Sequence, residues 1–276
     1  MARNESGTTN NHFGLKGAAE GDRLWSSGNQ NEMVADKGYR SILEEKFASV
    51  IPDVILNASV FRIDHTLDAI RCDDLNGNSY ESDKVIVTVP LGVLKAKLIT
   101  FVPELSFNKL DAINTLGMGP GMKVILKFSN RFWPEETGSI LGGARVPEYW
   151  ATAVGRSNTD NILTAFVHGD FAASLSAMGS GLVPAVCADL DAMFGGTVAT
   201  DSLVDSHVED WGIHPYFQGT YSFPTVGSGN ARKLLASPIG NKIFFAGEAT
   251  HTEGHYATVH GAMETGYRAA QEVVTS

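Results

Sequence analysis

The stretch from Ile243 to Tyr267, IFFAGEATHTEGHYATVHGAMETGY, constrains the fold of this 276-residue chain more than any other. Ile243 to Ala246 is a short continuous apolar run, the pattern of a buried strand in a layered α/β sheet. It runs into Gly247, where the backbone can approach a ligand closely, and then into Glu248, placed to accept hydrogen bonds from hydroxyl groups. Beyond an irregular segment, Val259, Ala262, Met263, Gly266, Ala269, Ala270 and Val273 recur at three- and four-residue spacing. That spacing predicts one buried face of a helix starting near Thr258. Free N–H groups at such a helix start favour a partly negative ligand atom. Strand, Gly-Glu turn and small-residue helix start together have the form of a cofactor seat.

Composition sets the outer bounds. With 43% hydrophobic residues the chain is long enough for one large or two modest domains, and it is expected to be soluble and globular. A formal charge of −10 and the lack of any Lys/Arg run argue against nucleic-acid binding through the phosphate backbone. The same acidic field favours cationic small molecules such as amines. Cys72 and Cys187 lie far apart with no CxxC pattern, which predicts two reduced thiols and neither a disulfide framework nor a zinc site. No stretch approaches the roughly 20 apolar residues that span a bilayer. Met1 to Asn11 is polar instead of carrying an apolar signal core, so a cytoplasmic protein with no membrane partner is expected.

Residues 1–32 hold little periodic hydrophobicity and many Asn, Gly and Ser, so a loop or partly disordered segment is expected there, with Trp25 as its anchor. Gly38 to Val50 places Tyr39, Ile42, Leu43, Phe47 and Val50 on one helical face, and Pro52 ends the helix. Val54, Leu56, Val60, Phe61 and Ile63 form a β-rich run, Asn76-Gly77 signals a turn, and Lys84 to Val89 predicts a strand ending at Pro90. Leu105 to Leu116 reads as a helix with Leu110, Ile113 and Leu116 on one stripe. Met122 to Phe128 alternates as a strand, and helices are expected at 171–178 and 182–194 within a mixed sheet. No internal repeat is visible.

Lys123 opens the apolar strand Lys-Val-Ile-Leu directly after Gly117-Met-Gly-Pro-Gly121, which reads as a flexible loop. A lysine buried there would have its pKa depressed by desolvation. The plainer reading is a strand-end lysine whose stem packs while its head reaches solvent. Tyr221, in Gly-Thr-Tyr-Ser-Phe, reads from its surroundings as a half-buried tyrosine at a sheet end. His251, His255 and His260 lie near Glu248 and raise the question of a metal, but an irregular segment with Gly254 and Ala257 separates them, and no metal is expected. No Gly-x-Ser-x-Gly elbow supports a hydrolase.

These segments closely resemble the flavin-containing amine oxidase family, which includes polyamine oxidases, monoamine oxidases and flavin histone demethylases. The resemblance rests on the tail at 243–267, on Val-Pro-Leu-Gly-Val-Leu-Lys at 89–95 with the helix, strand, hairpin and strand before it, and on Trp211 to Gly219 followed by Thr-Tyr-Ser-Phe. It covers most of the chain. It implies an α/β (α+β mixed) fold, in which an incomplete Rossmann-like FAD-binding domain, 33–98 and 219–276, is interleaved with a mixed-sheet substrate domain, 99–218. By this resemblance Glu248, after Gly247, holds a ribityl hydroxyl of FAD. Thr258 and Val259 present backbone N–H groups to the flavin pyrimidine edge, and Gly261 keeps the first helical turn slim. Val60 makes a backbone contact to adenine. Pro90, where the chain crosses between domains, and Trp211, where it returns to the flavin side, complete the cofactor-binding set. Lys123 holds a water beside flavin N5 and assists reoxidation by dioxygen. Tyr221 stands over the flavin and flanks the substrate amine, and Thr258 takes the place where many members carry a second aromatic of the amine cage.

The reaction so implied is FAD-dependent oxidation of an amine C–N bond to an imine, of polyamine oxidase type, with dioxygen reduced to hydrogen peroxide. A hydride equivalent passes from the carbon next to an uncharged amine to flavin N5, while the protein orients and tunes. The family also opens with a Gly-x-Gly-x-x-Gly turn that binds the FAD pyrophosphate, and no such motif stands in this chain. Gly117-Met-Gly-Pro-Gly121 precedes a strand, has the wrong spacing and carries a proline without an N–H. The expectation is therefore a truncated portion of such an oxidase, with FAD absent or substoichiometric in this chain alone. Its partners would be a small-molecule amine, dioxygen, and either the missing N-terminal segment or a second copy. Two alternatives stay open: a catalytically silent fragment or binding module retaining the fold, and another flavin oxidoreductase of the same superfamily, such as a desaturase or porphyrinogen oxidase.

Overall fold

The computed structural model describes residues 7–9, 11–26, 38, 40–155 and 160–276. Their strands and helices divide between two main hydrophobic cores. The first part of the chain contributes α1 (Leu15–Leu24), α2 (Arg40–Lys46), β1 (Val60–Asp64), β2 (Ile70–Asp74), β3 (Ser79–Ser82), β4 (Val85–Val87), α3 (Leu91–Lys95), β5 (Thr100–Val102), α4 (Phe107–Thr115) and β6 (Gly117–Met118). Four of these strands form a sheet in the order β3-β2-β1-β5, antiparallel except for the parallel β1–β5 pair. The Asn76-Gly77 turn between β2 and β3 forms as its sequence predicts. Gly77 takes a φ of +85°, and the buried Asp74 carboxylate accepts from the backbone N–H groups of Asn76 and Asn78, each at 2.9 Å.

The middle of the chain builds the second sheet from β7 (Gly121–Phe128), β8 (Ser139–Leu141), β9 (Glu148–Ala151), β10 (Ile162–His168) and β11 (Leu203–Asp210), with α5 (Gly169–Ser176), α6 (Leu182–Phe194) and α7 (Val198–Ser202) between the last two strands. The sheet is antiparallel, in the order β11-β7-β10-β9-β8. Alternation decides its two faces. Met122, Val124 and Leu126 pair in register with Val167, Ala165 and Leu163, and all six are buried. Ala172 and Leu175 of α5 and Val186 and Leu190 of α6 join the same core. Each such fully buried Val or Leu contributes about 1.5–3 kcal/mol by leaving water, which is what fixes the register. The alternate positions, Lys123 opposite Phe166 and Trp150 opposite Thr164, fall on the other face. Among the described residues, no single helix is long and apolar enough to cross a membrane.

The chain then returns through β12 (Ser222–Phe223), α8 (Ala231–Ala236), β13 (Ile243–Phe245) and α9 (Val259–Thr275). β12 pairs with β6, and β13 runs parallel to β4. This return completes the other core, where Ile243 and Phe245 meet Ile70, Val87, Leu91, Phe101, Ile113, Leu116 and Leu235. Lys109 of α4 is buried in the same region. Its ammonium donates to the carbonyls of Leu235, at 2.9 Å, and Ser237, and lies 4.0 Å from the Phe245 ring centroid. Burial pushes its pKa down to about 7.

Several expectations change. Residues 15–24, expected as loop, form α1, because its contacts use small residues instead of an apolar stripe. Gly17 abuts Pro224, Gly21 abuts Tyr256, and Ala18 is buried. Of the remaining expected loop, residues 1–6, 10 and 27–32 lie outside the described residues, as does Tyr39. α2 buries none of its residues and ends at Lys46, and Pro52 sits in a 3-10 turn, Ile51–Asp53. Val54, Ile55 and Leu56 are exposed and precede the strand that the β-rich run predicted. The Gly117–Gly121 loop carries β6, held by β12. Ile99 to Leu116, expected with the substrate domain, packs in the core of the first and last segments.

Candidate functional site

The Gly-Glu turn after β13 is fixed from two sides. Gly247 has a φ of +122°, a conformation that suits glycine, and its N–H donates to Thr265 Oγ1 of α9 at 2.9 Å. Glu248 follows in a 3-10 turn with both carboxylate oxygens engaged. Oε1 accepts from the Ser222 N–H at 3.0 Å, and Oε2 accepts from Ser222 Oγ at 2.7 Å and the Ala257 N–H at 2.6 Å. Behind Ser222 lies Arg232. Its Nη1 donates to Ser222 Oγ at 2.7 Å and to the Ala249 carbonyl at 3.1 Å, with the guanidinium 3.9 Å from the Tyr256 ring centroid. Burial pushes the Arg232 pKa down to about 10, opposed by the Glu248 carboxylate. Ser222, itself held by Arg232, thus orients the carboxylate.

Thr258 caps α9. Its hydroxyl accepts from the Gly261 N–H at 3.0 Å and donates to the His255 carbonyl at 2.6 Å. A Cβ on Gly261 would overlap the His255 carbonyl oxygen, so only glycine lets the first turn sit there. The Thr258 carbonyl accepts from Ala262 at 3.1 Å. That leaves the N–H groups of Val259 and His260 with no acceptor among the described residues.

Among the described residues, three hollows gather the expected site residues. One, of about 270 Å³, is lined by Pro90, Met118, Thr220, Phe245, Gly247 and Glu248, among others. The second, of about 280 Å³, is lined by Lys123, Phe166, His168, Trp211, Thr220 and Tyr221, among others, and shares Thr220 with the first. The third, of about 310 Å³, has Tyr221 on one wall and Ala257 and Thr258 on another. Lys123 Nζ stands 5.2 Å from the Trp150 ring centroid and 6.0 Å from that of Trp211, and burial pushes its pKa down. The backbone of residues 7–9 closes on the far side, with Gly7 against the Tyr221 ring and Thr9 Oγ1 donating to Asp170 at 2.9 Å.

The structure therefore gathers Pro90, Gly247 and Glu248 at one hollow and Lys123, Trp211 and Tyr221 at its neighbour, with Thr258 across the third. Val259 opens α9 at the surface, 44% exposed, instead of on the buried face, where Gly261, Thr265 and Ala269 stand. Val60 opens β1, packs against the core of the first and last segments, and lines none of the three hollows. Sequence reasoning missed Ser222, Arg232, Thr265 and His168. The first three are polar residues inside apolar patterns, which periodicity discards. His168 was legible, since 164, 166 and 168 alternate with the buried 163, 165 and 167 and place it on the Lys123 face.

The histidines close on themselves as hydrogen bonds. Candidate ligand atoms of His251, His255 and Glu264 lie within 4.8 Å of one another. His251 Nδ1 accepts from the N–H groups of Glu253 and His255 at 3.1 and 3.2 Å, so its proton is on Nε2 and goes to Glu264, 2.7 Å away. His255 Nδ1 meets the same carboxylate oxygen at 2.8 Å. Hydrogen bonds from His255 first and His251 next hold the Glu264 carboxyl below its ordinary range, while burial pulls His251 down. A metal would have to displace the His251 proton. Trp25 covers the group, with its ring centroid 5.0 Å from that of His255 and 5.6 Å from that of His260.

The sequence profile described as flavin containing amine oxidoreductase matches residues 9–274. The chain belongs to that family. A lysine-specific histone demethylase 1 homolog 3 of Arabidopsis thaliana is 36% identical over 234 residues, 82% of this chain and 14% of the relative. Polyamine oxidase 5 of Oryza sativa subsp. japonica is 35% identical over 225 residues, 80% of this chain and 44% of the relative. The fold is similar to that of cyclohexylamine oxidase from Brevibacterium oxydans, with a TM-score of 0.75 at 20% identity over 99% of this chain and 62% of that one. It is also similar to a putrescine oxidase bound to putrescine, with a TM-score of 0.73 at 22% identity over 87% of this chain and 53% of that one. The chain thus spans less than half the length of these two curated relatives.

The residues of this amine oxidoreductase chain fit one side of a flavin. Among the described residues Glu248 Oε1 accepts a single hydrogen bond and retains capacity for a hydroxyl, and the N–H groups of Val259 and His260, without an acceptor there, suit a partly negative ring edge. At Gly247 a Cβ would meet only the Thr88 carbonyl oxygen, at 3.9 Å, so the turn presents open backbone to a ligand.

Proposed function

We propose that this chain forms the amine-facing part of an FAD-dependent, polyamine-oxidase-like enzyme that oxidises an amine C–N bond to an imine while dioxygen is reduced to hydrogen peroxide. The observation that carries this reading is the shared Thr220 wall. It brings the Lys123–Tyr221 hollow directly beside the Glu248 hollow, so that a ring held at one meets an amine held at the other. Bound flavin supplies the two-electron acceptor and its reoxidation by dioxygen. Glu248, braced by Ser222 and Arg232, would hold the ribityl hydroxyls, and the start of α9 would hold the pyrimidine edge. Tyr221, Phe166 and Trp211 exclude water and offer aromatic surface to an alkylamine. Burial disfavours the ammonium form of Lys123 at the cavity wall. The formal charge of −10 supports attraction of a cationic amine from solution. The unmatched length of the relatives supports reading the chain as one portion of such an enzyme.

Lys123→Met tests the reading in the flavin-loaded, full-length protein. Reoxidation by dioxygen is expected to slow at least about tenfold, while anaerobic reduction by amine changes much less, as loss of a positioned proton-transfer group predicts. Unchanged reoxidation would count against it.

A further inference from the structure

His168 is the buried polar residue at this site that the reading above leaves without a task. It ends β10 on the same sheet face as Lys123 and Phe166, is 3% exposed, and lines the same hollow as Tyr221 and Trp211. Its Nε2 lies 3.3 Å from the Tyr221 hydroxyl, and its ring sits edge-on to Phe166 with centroids 4.2 Å apart. Its Nδ1 is buried with no hydrogen-bond partner among the described residues. The backbone makes room for this ring. Gly121 is its direct partner in the β7–β10 register, and a Cβ there would collide with Nδ1. A histidine kept only for packing would be replaced without loss by an apolar ring, since an unpartnered buried nitrogen is a cost to folding.

We propose that His168 is a positioning residue that holds the Tyr221 hydroxyl, and with it the tyrosine ring, at the wall of the amine cavity, and thereby sets the affinity for the amine. Burial foremost, and the charge of Lys123 next, push the His168 pKa down to about 4, so the imidazole adds no second positive charge to repel an alkylammonium. The neutral ring offers one donor and one acceptor, and either serves the tyrosine hydroxyl. The role rests on the amine oxidation reading, and the experiment separates the two.

In the flavin-loaded full-length protein, three variants are compared with wild type: His168→Phe, which keeps a ring and removes both nitrogens, His168→Gln, which restores a polar group, and Tyr221→Phe. Each is assayed for spermidine and monoamine oxidation and for binding of an unreactive alkylamine, followed by tryptophan fluorescence through Trp211. His168→Phe is expected to raise KM and the amine dissociation constant about tenfold, the scale of one lost buried hydrogen bond. Limiting kcat should change far less, and flavin content should be unchanged. His168→Gln should recover most of the loss, and the binding cost of His168→Phe with Tyr221→Phe should be less than the two single losses added together. Wild-type KM and binding in His168→Phe, or additive losses in the double variant, would overturn the proposal. If His168→Phe does not fold, Tyr221→Phe alone removes the same bond and decides by the same binding shift. A wild type that oxidises no amine would overturn the parent reading, and the binding titration would still decide His168.

Discussion

Replacing Gly261 by alanine perturbs the helix start on which the proposed cofactor seat depends, and the structure fixes the sign. The new Cβ would overlap the His255 carbonyl oxygen and approach Thr258 Oγ1, the capping atom, to 2.9 Å. The overlap involves backbone, so either α9 or the 254–258 segment must shift. Loss of the Thr258 cap costs about 1 kcal/mol, and forcing a methyl group into a packed site costs about 1–3 kcal/mol. The sum of roughly 2–4 kcal/mol corresponds to a fall in Tm of about 3–7 °C for a chain of this size. Gly266, one turn further along the same helix, provides the control, because a Cβ there meets nothing within 4 Å. At that position alanine should stabilise by about 0.5–1 kcal/mol through helix propensity. Urea denaturation of both variants measures the contrast, with the midpoint shifting in opposite directions at constant m. Equal stability of Gly261→Ala and Gly266→Ala would refute the packing account of the helix start.

Two further outcomes follow from buried polar groups. The pKa of Lys109 falls from 10.5 to about 7 on folding, so between those values the unfolded chain binds more protons and stability rises with pH. Between pH 7 and 9 the gain should be about 2 kcal/mol in wild type relative to Lys109→Met by urea denaturation; parallel profiles of the two would contradict the burial. Asp189 of α6 is buried and accepts from the N–H groups of Ala144, Arg145 and Val146 at 2.9 to 3.2 Å and from the Tyr149 hydroxyl at 3.3 Å. Asp189→Ala should destabilise by roughly 3–5 kcal/mol, with Asp189→Asn in between, and a loss under 1 kcal/mol would show that this tether carries little.

What was legible in the sequence followed strong periodicity. β7 and α6 formed close to where alternation and helical spacing placed them, because each has one face that must leave water. The Gly-Glu turn and the start of α9 were legible through residues whose conformational demands are narrow, Gly247 at positive φ and Thr258 at a cap. α1 was invisible because it docks through Gly17, Ala18 and Gly21, small residues that carry no hydrophobic signal. Val54 and Leu56 misled in the opposite sense, being apolar yet exposed. The bracing of Glu248 by Ser222 and Arg232 depends on contacts between residues far apart in sequence, which no local pattern encodes.

The central claim is that the Glu248 and Lys123 hollows together bring a flavin and an amine into contact. The most direct test is anaerobic addition of spermidine, a monoamine or an L-amino acid to the flavin-loaded full-length protein. An amine should bleach the visible flavin absorbance, and readmitted dioxygen should restore it with release of hydrogen peroxide, whereas a fully flavinated protein that none of the three bleaches would contradict the claim.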